Sequence, residues 1–198
     1  MVEAIVVDVG GVLLENKGNN IYQKLSKDLG IGFDDFTKLS AKYNYALRMG
    51  ELSASDFARI VGDEFNIKSD VYRVWKNECL TQLINTELVE LVDNLYGNYK
   101  LAIISNTNDL YVDILNERGI SSYFDVIINS CGVGFVKPQK EIFDITLNKL
   151  NLKSKDCVFV DDVNEFTDVA RDMGFNTILY ENNPQFIREL EKLSVSFD

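Results

Sequence analysis

The chain has 198 residues, 46% hydrophobic and 26% charged, with a formal net charge of −11, and this composition is typical of a globular protein with one sizeable core. Acidic residues outnumber basic ones and no run of five basic residues occurs. This argues against nucleic acid or an anionic membrane surface as a partner, because phosphate backbones bind clustered Lys and Arg. A small anionic substrate is not excluded, because a bound divalent cation can dominate the local electrostatic field.

The chain contains no histidine, which excludes Ser-His-Asp and Cys-His catalysis and the usual histidine-containing zinc sites. Its three cysteines are widely spaced, form no C-x-x-C pair and lie in apolar surroundings, which predicts buried free thiols at Cys79, Cys131 and Cys157. The N-terminus shows no signal-peptide pattern, and no apolar run is long enough to span a membrane. We therefore expect a cytoplasmic protein.

Five short apolar runs predict β-strands, and the first of them is the most informative. It ends at Asp8 and is followed by Gly10 and Gly11. A continuous apolar run rich in β-branched residues predicts a strand buried on both faces, which delivers Asp8 to the carboxyl edge of a sheet, where open α/β folds bind ligands. The glycines allow a tight turn and a close approach of the backbone to a bound group. The predicted strands are residues 4–7, 101–104, 126–128, 157–160 and 176–179.

The stretch from about residue 16 to residue 85 contains no convincing strand and several amphipathic helical patterns. Apolar stripes predict one helix around residues 21–29 and another around 36–47. Ser53 is predicted to cap a third helix, and residues 71–80 form a fourth. We therefore expect a small helical bundle beside the sheet, whose aromatic stripes are more typical of a core than of a ligand pocket.

From residue 86 onward, helical patterns alternate with the strands. Thr86 is predicted to cap a helix over residues 87–96, and Pro138 suits the first turn of the next helix. A further helix is predicted from Asn164 to Met173. Strands that alternate with helices indicate a parallel, doubly wound sheet, so the predicted fold class is α/β.

Polar residues also follow the later strands. Ser105 and Asn106 can donate hydrogen bonds to an oxyanion, although Ser-Asn clusters are also common in turns. Lys137 lies where a helix N-terminus also favours anions. Asp161 and Asp162 end the fourth strand, and neighbouring carboxylates in such a place require a cation or a network of hydrogen bonds. Oxygen-rich sites of this kind suit Mg²⁺.

These groups all lie at carboxyl ends of predicted parallel strands, and their order resembles that of the haloacid dehalogenase superfamily, most of whose members are Mg²⁺-dependent phosphatases. The motifs lie at residues 6–12 (VVDVGGV), 103–106 (IISN), 134–138 (GFVKP) and 159–162 (FVDD). The resemblance implies a Rossmann-like core formed by residues 1–15 and 86–198. The helical segment 16–85 matches the small cap that such enzymes carry, and the Asp-x-Gly-Gly motif resembles the sugar-phosphate phosphatase branch.

The resemblance implies an aspartyl-phosphate mechanism, in which Asp8 attacks phosphorus and water then hydrolyses the covalent intermediate. It also implies Mg²⁺ as the cofactor, a small phosphorylated metabolite as the substrate, and a monomer or homodimer. The implied catalytic residues are Asp8 and Lys137. The implied phosphate ligands are Ser105, Asn106 and Lys137. The implied metal ligands are Asp8, the Gly10 carbonyl, Asp162 and, in support, Asp161.

The chain departs from the commonest pattern at Gly10, where most such phosphatases carry an Asp that acts as general acid and base. Another acid, such as Glu15 or a residue of the cap, can take this role, or the substrate can have a good leaving group. Two alternatives stay open: a protein that binds with weak or no turnover, and a metal-independent 2-haloacid dehalogenase, which also dispenses with the second Asp. The carboxylate pair at residues 161–162 argues for a metal and against the dehalogenase.

A second departure is Phe166, where the fourth motif often continues with Asn or Asp, and Asn164 or Glu165 is expected to compensate. The cap is expected to select the substrate. Its polar and aromatic candidates for this role are Tyr43, Tyr45, Arg48 and Trp75.

Overall fold

A parallel β-sheet of five strands forms the centre of the computed structural model, which describes residues 1–15 and 21–197. The strands are β1 (Ala4–Val7), β2 (Lys100–Ser105), β3 (Val126–Asn129), β4 (Cys157–Asp161) and β5 (Asn176–Leu179). They lie in the order β3-β2-β1-β4-β5, and every neighbouring pair is parallel. The predicted doubly wound α/β fold is therefore confirmed.

The central strand β1 is buried on both faces, as its apolar sequence predicted. Ile5 and Val7 pack into the apolar cluster on one face of the sheet, and Ala4 and Val6 pack into the cluster on the other. Both of its edges are occupied as well, by β2 and β4. Asp8 therefore leaves the sheet at the middle of its carboxyl edge, where several neighbouring strands can contribute groups to one site.

Ten α-helices accompany the sheet within the described residues. They are α1 (Ile21–Leu29), α2 (Phe33–Met49), α3 (Ala54–Glu64), α4 (Val71–Leu80), α5 (Thr86–Leu95), α6 (Asp109–Glu117), α7 (Ser130–Val133), α8 (Lys140–Leu150), α9 (Asn164–Asp172) and α10 (Asn183–Lys192). The predicted cap on α3 is confirmed, because Ser53 Oγ accepts a hydrogen bond from the Asp56 N–H at 3.0 Å. None of the helices in the part of the chain described is long and apolar enough to cross a membrane.

The start of α5 differs from the prediction by one residue. Asn85, and not Thr86, caps this helix, because Asn85 Oδ1 accepts a backbone N–H of the first turn at 3.2 Å. The Asn85 amide also donates to the Val12 carbonyl oxygen at 3.1 Å. This contact is 73 residues distant in sequence, so a local pattern could not reveal it.

The start of α8 also differs from the prediction. The helix begins at Lys140, so Pro138 precedes it and is not part of its first turn. Between Val136 and Gln139 the chain forms a turn, in which the Val136 N–H donates to Gln139 Oε1 at 2.7 Å and the Gln139 N–H donates to the Val136 carbonyl at 2.8 Å. Because of this turn the helix begins only after Gln139, and Lys137 lies on the loop that faces the sheet edge.

Helices α1–α4, the helical insertion, share one apolar cluster with helix α6 of the sheet region. Leu110 and Ile114 of α6 are buried in the same cluster as the apolar faces of the four helices. Asp109 Oδ1 accepts a hydrogen bond from the Ala54 N–H at 2.8 Å, which joins the start of α3 to the start of α6. The division into a core at 1–15 and 86–198 and a cap at 16–85 stays a prediction, and residues 16–20 and 198 lie outside the described residues.

Two of the three cysteines are buried as predicted. Cys79 and Cys157 are inaccessible to solvent, and burial raises the pKa of the Cys79 thiol to about 11 and that of Cys157 to about 12. The prediction is wrong for Cys131, which is half-buried because it lies on the short helix α7 near the protein surface. All three are free thiols.

Gly50 ends helix α2 where the helical insertion meets α7. Its φ is +73°, and a β-carbon at this position would collide with the Cys131 carbonyl oxygen. Only glycine allows both the left-handed backbone and this close approach.

We expect Gly50→Ala to lower the free energy of unfolding by about 2–6 kcal/mol, because backbone strain and a steric collision each cost about 1–3 kcal/mol. Gly30 is the matched control: its φ is +68°, but nothing lies within 4 Å of the added carbon. Urea unfolding of Gly50→Ala and Gly30→Ala separates the two costs. Equal losses in both variants would show that the contact with Cys131 is unimportant.

Candidate active site

The carboxyl edge of the sheet forms the floor of a cavity of about 440 Å³. Asp8 follows β1, Ser105 is the last residue of β2, and Asp161 is the last residue of β4. The helical insertion and the start of α6 form the opposite wall. The structure thus brings together the residues that the sequence placed at separate strand ends.

The Lys137 ammonium group connects two of the carboxylates. Lys137 Nζ donates hydrogen bonds to Asp8 Oδ1 at 2.7 Å, to Asp161 Oδ2 at 2.5 Å and to the Ile104 carbonyl at 3.0 Å. The three bonds use all three protons of the ammonium group, so the side chain has one orientation. It is 3% exposed, and the ring of Phe166 lies 5.2 Å from Nζ, so the aromatic residue in the fourth motif contacts this buried cation.

The site has an excess of negative charge, because three carboxylates face one ammonium group. Burial disfavours the Lys137 ammonium, but the charges of Asp8 and Asp161 outweigh burial and raise its pKa, so Lys137 stays protonated. Burial raises the pKa of Asp161 to about 6, against the effect of Lys137. Partial desolvation by the walls of the cavity and the charge of Asp8 also raise the pKa of Asp162, although its side chain is exposed at the cavity mouth. A further cation would relieve this excess.

Asn106 positions Lys137 with its side chain. Its Nδ2 donates to the Lys137 carbonyl at 2.9 Å, and the Lys137 N–H donates to its Oδ1 at 2.7 Å. Ser130, which the sequence did not indicate, holds Thr107, the residue after Asn106, in a similar way. Ser130 Oγ accepts a hydrogen bond from the Thr107 N–H at 2.9 Å and donates one to the Thr107 carbonyl at 3.1 Å. These bonds hold the loop after β2 in place beside Asp8.

Several hydrogen-bond donors at the floor of the cavity have no partner within the described residues. The backbone N–H groups of Val9, Gly10 and Asn106 donate to no other group there, and these residues line the cavity together with Ser105. Val9 is buried, and Gly10 and Asn106 are half-buried. Neighbouring backbone N–H groups without a protein partner at a cavity suit an anion. Asn106 therefore contributes its main chain to the cavity while its side chain holds Lys137.

The carboxylates offer a set of oxygens that fits Mg²⁺. Single oxygens of Asp8, Asp161 and Asp162 all lie within 4.8 Å of one another. Both Asp161 oxygens already accept hydrogen bonds, from Lys137 and from the Val163 N–H. Asp162 is exposed and forms no ion pair with a described residue, and the Gly10 carbonyl accepts no hydrogen bond there. The donor chemistry is the one that Mg²⁺ prefers, with Asp8, Asp162 and Gly10 as the freest ligands.

Gly10 leaves room for a side chain. Its φ lies outside the left-handed region, and the atom nearest to an added β-carbon is Asp8 Oδ2 at 4.0 Å. Among the described residues, Asp8 and Asp162 are the only carboxylic acids that line the cavity. Glu15, one of the alternatives for the missing acid, is exposed and lies outside the cavity lining in this structure.

The wall opposite the sheet is formed by residues of which only some were expected. Arg48 and Trp75 line the cavity, as proposed for substrate selection. Tyr43 packs against Phe57 with ring centroids 5.9 Å apart, and Tyr45 is exposed, so both of these candidates were wrong. Asn164 and Glu165 also lie outside the lining. The polar and aromatic residues of the lining that sequence reasoning missed are Tyr22, Asn44, Gln82 and Tyr111.

A carboxylate oriented by a buried ammonium group, beside free N–H donors, thus lies at the carboxyl edge of the parallel sheet, where proteins of the α/β class bind their ligands. Residues 2–169 match the family of haloacid dehalogenase-like hydrolases. The chain therefore belongs to this family of hydrolases, and the resemblance noted in its four motifs is confirmed.

Several known proteins are similar to this chain. Bifunctional epoxide hydrolase 2 from Mus musculus is 43% identical over 75 residues, which are 38% of this chain and 14% of that protein, so the chain spans a small part of that relative. D-ribitol-5-phosphate phosphatase from Bacteroides thetaiotaomicron is 26% identical over 206 residues and is covered almost completely, at 97% of its length and 96% of this chain.

Solved structures share the whole fold. A HAD-like family hydrolase from Porphyromonas gingivalis superposes with a TM-score of 0.82 at 25% identity, over 99% of both chains. A HAD family enzyme from Bacteroides thetaiotaomicron, solved with magnesium and inorganic phosphate, has a TM-score of 0.80 at 19% identity, over 91% of this chain and 95% of that one. At this identity the second match shows the fold alone.

We expect Lys137→Met to lower the free energy of unfolding by about 3–5 kcal/mol, because it leaves two carboxylates without their buried cation. Lys76 is the matched control, since its ion pair with Glu117 also joins two elements but lies at the surface. Urea unfolding in the presence of a chelator compares Lys137→Met with Lys76→Met. A loss for Lys137→Met as small as that for the control would contradict a central role of the buried pair.

Proposed function

We propose that this protein is a Mg²⁺-dependent phosphatase that hydrolyses a small phosphorylated metabolite through an aspartyl-phosphate on Asp8. One observation carries the proposal: Asp8 Oδ1 is held by Lys137, while Asp8 Oδ2 accepts no hydrogen bond from a described residue and lies beside the unpartnered N–H groups of the cavity. A nucleophile with one oxygen fixed and the other free, next to anion-binding donors, suits attack on a phosphoryl group.

The reaction requires the residues mainly to position groups and to neutralise charge. Ser105 and the N–H groups of Val9, Gly10 and Asn106 bind the phosphoryl oxygens and place phosphorus against Asp8. Asp8 forms the new bond to phosphorus, and the bond from phosphorus to the alcohol oxygen breaks.

Water then attacks the aspartyl-phosphate and releases phosphate, which restores the Asp8 carboxylate. Lys137 offsets the negative charge of Asp8 and of the incoming phosphate throughout. When bound by Asp8, Asp162 and the Gly10 carbonyl, with Asp161 in support, Mg²⁺ supplies the further positive charge.

The relatives support a phosphatase. The relative that matches over nearly its whole length is named as a phosphatase of D-ribitol 5-phosphate, a small phosphorylated metabolite. The oxygen-rich carboxylate set favours a metal and thus a phosphatase over a metal-independent dehalogenase. The cytoplasmic location and the monomeric or homodimeric state stay predictions.

A second candidate function is binding with weak turnover, and the lack of an acid at Gly10 favours it. No carboxylic acid other than Asp8 and Asp162 lines the cavity in the described part of the chain. Asp8 is the proposed nucleophile and Asp162 the proposed metal ligand, so no further carboxylic acid lines the cavity there to protonate a leaving alkoxide.

We expect phosphate release from a panel of sugar phosphates, polyol phosphates, nucleotides and aryl phosphates in the presence of Mg²⁺. The activity should disappear with chelator and in Asp8→Asn, which removes the nucleophile, and persist in Asp34→Asn, an exposed acid of α2. Absence of turnover above the Asp8→Asn blank on every compound would favour the binding protein, and halide release from a 2-haloacid without metal would favour the dehalogenase.

We expect Gly10→Asp to raise kcat for an alkyl phosphate at least about tenfold, because general acid catalysis contributes about 10²–10⁴-fold and the side chain has room. The rate for p-nitrophenyl phosphate should change much less, since nitrophenolate leaves without a proton. Steady-state kinetics with both substrates measure the contrast. An equal gain with both substrates would show that the new acid does not act by protonating the leaving group, and no gain with either would contradict the prediction.

A further inference from the structure

Two basic side chains line the cavity within the described residues, Lys137 and Arg48. The three protons of the Lys137 ammonium group are already bound by Asp8, Asp161 and the Ile104 carbonyl. The Arg48 side chain is exposed, and its guanidinium group forms no ion pair and no hydrogen bond with a described residue. Within the described lining, Arg48 is therefore the cation that is free to bind a ligand.

Arg48 belongs to the wall of the cavity opposite the nucleophile. It lies on α2, four residues after Asn44, and both residues line the cavity, so the two polar side chains share one face of the helix. Tyr22 of α1 lies beside them. Burial raises the pKa of the Tyr22 phenol, and the nearby Arg48 guanidinium opposes this effect. The wall thus contains a guanidinium, an amide and a phenol, which are all hydrogen-bond donors.

Two contacts fix the end of α2 relative to the sheet region. Gly50 lies against the Cys131 carbonyl of α7, the helix that follows β3. The Ala54 N–H donates a hydrogen bond to Asp109 Oδ1 at 2.8 Å. Both contacts lie shortly after Arg48 in the chain, so the backbone that carries this cation has a fixed place above the sheet edge.

The charge of Arg48 indicates which group it can bind. A guanidinium pairs with carboxylates and phosphates, because its planar N–H donors match their oxygens. The phosphoryl group is expected beside Asp8, so a partner of Arg48 belongs to the alcohol portion of the substrate. A second phosphate would bring up to about two negative charges to one free cation. A carboxylate brings a single charge, which Arg48 balances.

We propose that Arg48 is a specificity residue that binds a carboxylate on the alcohol portion of the phosphorylated substrate, with Asn44 as an additional donor. The substrate class is then the phosphate monoesters of hydroxy acids. This inference rests on the proposed phosphatase function, because it places the phosphoryl group at Asp8 and the carboxylate at the helical insertion.

The test compares acids with amides of the same size, starting with 3-phosphooxypropanoate and 3-phosphooxypropanamide and continuing with their longer homologues. At low ionic strength we expect the wild-type protein to prefer the acid of one chain length over its amide in kcat/KM by about 10–100-fold, because hydrogen bonds between charged groups contribute this much and salt screens exposed charges. Arg48→Gln should remove the preference, mainly through KM for the acid. Arg48→Lys should retain part of it, since the charge remains.

Arg73→Gln is the matched control, because Arg73 is also an exposed arginine of the helical insertion without an ion pair to a described residue, but it lies outside the cavity lining. Its preference should equal that of the wild type, and circular dichroism should show that all variants are folded.

A purely structural role of Arg48 has a different signature. Arg48 lies in the last turn of α2, where a basic residue also stabilises the helix dipole. Loss of that role alone would lower the free energy of unfolding in Arg48→Gln and leave the preference for the acid unchanged. If turnover persists and Arg48→Gln keeps the wild-type preference, or no acid is preferred at any chain length, the inference is overturned while the phosphatase function stands.

A binding measurement keeps the inference testable without turnover. Calorimetry on Asp8→Asn, with and without Arg48→Gln, compares the affinities for the same acids and amides. A preference for an acid that Arg48→Gln removes would support the subsite even if the wild-type protein hydrolyses none of the compounds. Equal affinities for acid and amide at every chain length would overturn it. Tighter binding of propanediol bisphosphate than of any acid, lost in Arg48→Gln, would overturn the carboxylate in favour of a second phosphate.

Discussion

The site depends on the ammonium group of Lys137, which joins two carboxylates from different strands. Alone, Asp8 and Asp161 would repel each other across the centre of the sheet edge, in surroundings that solvent barely reaches. Lys137 fixes one oxygen of each and leaves the rest of the Asp8 carboxylate free. Because the ammonium group is buried, the backbone of Lys137 has to be held in one place. The Asn106 side chain does so with two hydrogen bonds to the Lys137 backbone.

The second constraint is the attachment of the helical insertion to α6. This helix starts directly after the loop that bears Ser105 and Asn106, and its apolar residues belong to the core of the insertion. The wall of the cavity is therefore attached to the helix that follows Ser105 and Asn106. Gly50 allows a second attachment of the helical insertion to the sheet region, because the end of α2 contacts α7 closely at this residue. The distance between the floor and the wall of the cavity is set by packed contacts at both of these places.

Much of the fold was predictable from the sequence, because its signals are local. The apolar run before Asp8 reveals a central strand, and the alternation of strands and helices reveals a parallel sheet. One error arose where a distant contact overrides local preference, because Val12 holds the amide of Asn85, which caps the helix in place of Thr86. The other arose from a local turn at residues 136–139, after which the helix begins at Lys140 and not at Pro138.

For the site, the sequence by itself determined which groups meet at the sheet edge, because parallel strands bring their carboxyl ends together whatever the loops between them do. Asp8, Ser105, Lys137 and the carboxylates at residues 161–162 were all found in this way. Only the tertiary structure decided which residues of the helical insertion face that edge. Tyr43 and Trp75 look alike as aromatic residues on amphipathic helices, but one packs in the interior of the insertion and the other lines the cavity. The rotation of each helix about its own axis makes this difference, and that rotation is set by packing between helices that are distant in sequence.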